Sequence, residues 1–227
     1  MNTNDVNQLN IDNLTSLWKK MGVQDEPEFS LDGLTISHTW PNRFWFDWNA
    51  TAQQTENIIP LLSSLPTRAV VPVWMGTDVA GQLEHALVMN KFQISFQQLA
   101  MYLDLTSAPK EAVPPLDINK VQSAADLQAW TTTASSAFGY WIDIAAIEKI
   151  ATDTDVTLLL VKQDGEPVAT ALVYKTGAVI GVHMVGVPEA YRGRGLARIL
   201  MKYVINLGIE LGGTLLTLQA SAAGEPL

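Results

Sequence analysis

The chain has 227 residues, 48% of them hydrophobic and 16% charged, which suits one large domain or two small ones and excludes a disordered chain. A net charge of −9 disfavours nucleic acid as a partner, since phosphate backbones need a positive field. No cysteine is present, so disulfides, thiolate metal sites and cysteine nucleophiles are excluded; the polar start MNTNDVNQLN is no signal peptide, no apolar run reaches membrane-spanning length, and a soluble cytoplasmic protein with no metal and no membrane partner is expected.

Elements follow from periodicity. Ile11–Met21 is a short helix with Leu14, Leu17 and Trp18 on one face. Leu34–Trp40 and Arg43–Asp47 alternate like strands around the turn Pro41-Asn42. Ala52–Leu65 is helical in spacing and ends before Pro66; Ala69–Trp74 reads as a strand, Val79–Asn90 as a helix and Gln98–Leu105 as another strand. The aromatics Trp40, Phe44, Trp45, Phe46 and Trp48 line either a ligand site or a core, and the core is expected because they alternate along strands. Thr106–Pro115 carries three prolines and reads as a linker, dividing a domain of residues 1–105 from one of residues 116–227.

Beyond the linker the pattern sharpens. Leu116–Val121 is a short strand, and Ser123–Ala137 and Ile142–Thr152 are helices, the first capped by Ser123. Val156–Val161, Val168–Tyr174 and Ala178–Val187 form a three-stranded antiparallel meander joined by tight turns. The turn Pro188–Gly195 follows, then a helix from Leu196 to about Leu211, a stop at Gly212-Gly213 and a strand Thr214–Gln219.

The chemistry sits in the turn. Gly193 and Gly195 permit positive φ and keep side chains away from an approaching ligand. The helix behind them exposes its first N–H groups, which together with the macrodipole attract an anion. Arg192, Arg194, Arg198 and Lys202 place four of the 14 basic residues within eleven positions of an acidic chain. Ala197 is small enough to let a phosphate approach. The third glycine of a dinucleotide fingerprint and the Gly-Lys-Ser/Thr of a P-loop are both absent.

On these residues the stretch resembles motif A of the GNAT superfamily of acyl-CoA-dependent N-acyltransferases, whose pattern Gln/Arg-x-x-Gly-x-Gly/Ala is met by Arg192, Gly195 and Ala197. The resemblance covers about residues 116–227 and implies an α/β (α+β) fold: a mixed, mostly antiparallel central sheet flanked by helices. More weakly, the first half is similar to the degenerate N-terminal halves of tandem GNAT proteins, with a tail-like strand–helix–strand–helix–strand order and no motif A. The likeness implies that Arg192, Gly193, Arg194, Gly195, Leu196, Ala197 and Arg198 bind the pyrophosphate of acetyl-CoA. The strand edge at Met184, Val185, Gly186 and Val187 would pair with the pantetheine arm, and Gln219, Ala220 and Ser221 would lie near the thioester, where two strands splay. The implied reaction is acetyl transfer to a primary amine, with the Val185 N–H polarising the acyl carbonyl; a non-catalytic acyl-CoA sensor is the alternative.

Two departures stand out. Where some relatives carry a catalytic glutamate this chain has Gly181, which leaves His183 as a candidate general base or a residue that only packs. The helix and closing strands that relatives carry after the second splayed strand are missing here, where Ala220–Leu227 reads as a helix start. An open sheet edge is therefore expected. Truncation or a homodimer covering that edge is favoured over docking by elements of Val79–Leu105.

Overall fold

The structure, a computed structural model, describes residues 2–22, 33–37 and 39–226. It falls into two compact units, Met1–Gln97 and Gln98–Leu227.

In the first unit, α1 spans Thr3–Gly22 and begins eight residues before the apolar periodicity does. Asn2 explains the early start: its Oδ1 accepts from the Asp5 N–H at 2.9 Å, satisfying one of the free amides of the first turn. Val6, Ile11, Leu14, Leu17 and Met21 form the buried face. The strands β1 (Leu34–Ile36) and β2 (Phe44–Phe46) pair antiparallel; the former stops short of the expected Trp40, and His38 lies outside the described residues. The helix expected over Ala52–Leu65 is α2 (Ala52–Ile58) continued as a 3-10 segment, Ile59–Ser64, because Pro60 has no N–H for the α-helical ladder. Ala69–Trp74 is no strand. Only Val70 bridges to Arg43, since Pro72 cannot donate to a ladder. The helix α3 spans Ala80–Met89. Of the five aromatics, Phe44, Trp45, Phe46 and Trp48 are buried and fill a core, while Trp40 is half-buried.

The second unit is built on one six-stranded sheet in the order β3-β8-β7-β6-β5-β4. Its strands are β3 (Leu99–Asp104), β4 (Asp117–Lys120), β5 (Val156–Gln163), β6 (Glu166–Thr176), β7 (Val179–Gly186) and β8 (Leu215–Ala220). Every pairing is antiparallel except β7 with β8, whose connection passes through α6 (Leu196–Glu210). This is the mixed, mostly antiparallel sheet that the family resemblance implied.

Helices cover both faces. On one, Leu196, Leu200, Val204 and Leu207 of α6 pack on Ile180, Val182, Val173 and Leu216. On the other lie α4 (Ala124–Phe138) and α5 (Ile144–Ala151), with Trp130 fully buried and its Nε1 donating to the Ala171 carbonyl at 3.2 Å. Ser123 caps α4 by accepting from the Asp126 N–H, and Gly139 closes it in the left-handed conformation.

The largest correction concerns the sheet edge. The strand at Leu99–Asp104, assigned by the linker prolines to the N-terminal part, runs antiparallel to β8 in register from Leu99↔Ala220 to Asp104↔Leu215. Docking by an element of Val79–Leu105, the disfavoured explanation, is what occurs, and no second subunit is needed to pair the β8 edge. The division between the units falls at Gln97, ahead of the prolines. Those prolines instead join two strands of one sheet, β3 and β4, at its opposite edges. The end of the chain also differs from expectation. Residues 222–226 form turns rather than a helix, with Ser221 accepting from the amides of Gly224 and Glu225.

Candidate functional site

The turn after β7 is shaped by local sequence. Pro188 accepts from the Tyr191 N–H and Glu189 from the Arg192 N–H, a single 3-10 turn over Glu189–Tyr191. Gly193 and Gly195 then both take positive φ, 75° and 76°, and Gly195 becomes the N-cap of α6. A Cβ at either glycine would stand in open space, so the backbone itself forms the surface. The first amide bonded into α6 is that of Ile199, which donates to the Gly195 carbonyl. Among the described residues nothing accepts from the amides of Gly193 through Arg198. Six consecutive N–H groups thus face an exposed turn at the positive end of a fifteen-residue helix.

Beside the turn the sheet opens. Parallel pairing of β7 with β8 ends at Val182↔Leu218, yet β7 continues to Gly186 and β8 to Ala220. At the same level the ladder with β6 is interrupted: Leu172 pairs with His183 and Thr170 with Gly186, so Met184 and Val185 together oppose Ala171. This is a β-bulge. Met184 adopts a positive φ of 52°, uncommon for a residue with a side chain, and its carbonyl accepts from the buried Thr170 hydroxyl at 3.1 Å. No sequence signal marks the bulge, because neither residue is a glycine.

Residues 120–226 match the model of the family described as Acetyltransferase (GNAT) family. They are a GNAT-family domain. The fold is also similar to that of a GCN5-related N-acetyltransferase from Kribbella flavida, at 19% identity over 94% of this chain and 85% of that one, with a TM-score of 0.63. A functionally unknown conserved protein from Staphylococcus epidermidis shows a similar fold, at 16% identity over 90% of this chain and 87% of that one, with a TM-score of 0.55. Among curated proteins none matches.

Within the GNAT domain the basic residues of the turn divide their work. Arg192 braces the structure: its Nε donates to the Val187 carbonyl at 3.0 Å and its Nη2 to the Ala137 carbonyl at the end of α4 at 2.8 Å. Arg194 donates to the Ala190 carbonyl at 3.0 Å and lies 5.3 Å from the Tyr191 ring centroid. Lys202 is drawn away into an ion pair with Glu111 at 3.0 Å, while Arg198 stays exposed. The charge concentrated in sequence is therefore partly consumed by internal contacts.

For His183 the sequence left two roles open, a general base or a packing residue. The residue is 8% exposed and faces away from α6, since Ile180 and Val182 point toward that helix. Burial pushes its pKa down to about 4, so the imidazole is neutral at pH 7 and a poor proton acceptor. Across the opening, Gln219 and Ala220 extend β8; the Gln219 carbonyl accepts from Gln98 Nε2, and Ser221 is engaged in the terminal turn. Gly186 is needed for space: a Cβ there would come within 2.9 Å of the Ala137 Cβ and 3.0 Å of the Phe138 ring. A groove of about 810 Å³ runs beside the turn, between Thr132, Thr133 and Ser136 of α4 and the segment 188–191. No helix among the described residues is long and apolar enough to cross a membrane.

Proposed function

We propose that the chain is an N-acetyltransferase that moves the acetyl group of acetyl-CoA to a primary amine of a small molecule, peptide or protein. The observation that carries this reading is the run of amides from Gly193 to Arg198 without acceptors among the described residues, at the start of α6. Such a run suits a diphosphate, whose oxygens accept from several N–H groups at once and whose charge the helix dipole favours. Arg194 and Arg198 add positive charge at its mouth, while Arg192 holds the turn in shape.

The pantetheine arm lies along the edge of β7 at Met184, Val185, Gly186 and Val187, with Gln219, Ala220 and Ser221 across the opening. The bulge supports this course, because it takes Val185 out of register with β6 beside the opening, where its N–H would meet the acyl oxygen. The amine nitrogen attacks the carbonyl carbon, a C–N bond forms, the C–S bond breaks, CoA leaves as a thiolate and one nitrogen proton passes to solvent. His183 is not assigned as the base.

That same histidine favours a second reading, a non-catalytic acyl-CoA-binding module, because a buried neutral imidazole takes up a proton poorly. Calorimetry with acetyl-CoA and thiol release with a panel of amines separate the two. Binding with turnover supports the transferase; binding with no thiol release from any amine supports the sensor; no binding refutes both.

A further inference from the structure

The link from α4 to α5 carries three aromatic side chains close together, Phe138, Tyr140 and Trp141, and all three are exposed. Trp141 leaves 69% of its surface in solvent and Tyr140 leaves 52%. Large apolar side chains usually lie inside, and several left outside together mark a contact surface rather than a core. The link is nevertheless fixed at both ends. Gly139, left-handed at φ 74°, closes α4 with its N–H on the Ser135 carbonyl. The Ile142 N–H donates to the Ser135 hydroxyl at 3.2 Å, and the Ile142 side chain is buried. Tyr140 and Trp141 are held out between these two anchors, so a ligand pays little ordering entropy to meet them.

The same rings stand beside the opening of the sheet. Phe138 packs on Gly186, the last residue of β7 and beyond the final pairing of that strand with β8; a Cβ on Gly186 would stand 3.0 Å from the ring. Tyr140 continues the surface outward, its ring centroid 5.8 Å from that of Phe138 and the planes inclined by 32°. From Ser136 to Ile142 no side chain is charged. The next carboxylate along the chain, Asp143, is engaged as the N-cap of α5, where it accepts from the Ala145 N–H. Ring faces without a carboxylate suit a flat apolar body and give a polycation no counter-charge.

We infer that Phe138, Tyr140 and Trp141 form the wall on which the body of the acceptor rests, and that the acceptor is an amine carried on an aromatic or other flat apolar group. Phe138 brings this wall to the end of β7, so an amine projecting from the bound body meets the acyl carbon in the adjoining opening. The inference rests on the acyl-CoA reading above and adds the substrate class to it. The three rings set specificity and transfer no proton.

The test measures kcat/KM with acetyl-CoA for phenethylamine, ethylamine and spermidine. Phenethylamine and ethylamine present the same primary amine with and without a ring, and spermidine adds charge instead. Wild-type protein is expected to prefer phenethylamine over either of the others by about tenfold or more, the effect of resting one ring on an apolar surface. The double variant Tyr140→Ala, Trp141→Ala is expected to bring the phenethylamine-to-ethylamine ratio down to within about twofold of one, while Tyr140→Phe, Trp141→Phe keeps it. Both side chains are exposed, so the melting temperature and the Kd for acetyl-CoA should stay close to wild type in both variants. A wild type that favours ethylamine or spermidine, or a double alanine variant that keeps the ratio, overturns the inference. So does a variant that loses acetyl-CoA affinity, which would make the rings a cofactor contact, or one that changes only its oligomeric state in gel filtration, which would make them an interface between copies. Wild-type protein that binds acetyl-CoA but acetylates none of the three amines overturns it too. Failure of the wild type to bind acetyl-CoA at all removes the acyl-CoA reading itself, a distinct result.

Discussion

Replacing Gly195 with aspartate probes the diphosphate site directly. The residue sits at φ 76° and ψ 4°, where a side chain costs on the order of 1 kcal/mol, although aspartate tolerates this region better than most. A Cβ meets no atom within 4 Å, so no clash is added. A carboxylate at the N-cap of α6 also gains roughly 0.3–1 kcal/mol from the helix dipole, which offsets most of the backbone cost. Folding should therefore be nearly unchanged. Binding should not be. At about 5 Å and an effective dielectric of about 20, repulsion between the new carboxylate and one phosphate charge is roughly 3 kcal/mol, a weakening of about 200-fold. Gly195→Asn is the control, with the same shape and backbone tolerance but no charge. Isothermal calorimetry with CoA and a thermal melt on all three proteins decide the matter. Wild-type affinity in Gly195→Asp would falsify the diphosphate assignment, and an equal loss in Gly195→Asn would show that bulk rather than charge was responsible.

Other consequences are separable. Leu200→Ala, at a fully buried position of α6, should destabilise the fold by about 2–5 kcal/mol in a denaturant titration; a loss under about 1 kcal/mol contradicts the packing described. Gly186→Ala forces a methyl against Ala137 and Phe138 and should cost about 1–3 kcal/mol by the same measurement, whereas tolerance would mean that α4 yields easily. For His183 the folded pKa of about 4 lies below the unfolded value near 6.5, so the unfolded chain binds the proton first. Its contribution is fully present above about pH 6.5 and is lost as the pH falls toward 4; His183→Gln should flatten the melting temperature between those limits, and an unchanged pH profile speaks against the burial.

How far the residues alone carry the reader differs from place to place. The meander Val156–Gly186, the turn Pro188–Gly195 and the amphipathic α6 were legible because each depends on neighbours in the chain: apolar alternation, turn-forming glycines and a helical repeat. The N-terminal stretch of α1 was not, because its asparagines carry no apolar period and its start is set by the Asn2 cap. The prolines between Thr106 and Pro115 suggested a domain boundary and instead mark a crossing from one edge of a sheet to the other. In the site, exposed amides could be inferred from Gly193 and Gly195, whereas the spending of Arg192 on the Val187 and Ala137 carbonyls and of Lys202 on Glu111 could not.

What the amino-acid order determined by itself is therefore the local geometry of an anion-binding turn, since φ preferences, helix ends and the spacing of apolar residues act over a few positions. Tertiary structure alone decided that β3 closes the sheet beside β8, that Met184 and Val185 bulge from the ladder and that His183 is buried and neutral. Each of these depends on partners far away in sequence. Strand register and burial are properties of the assembled sheet, and no single segment encodes them.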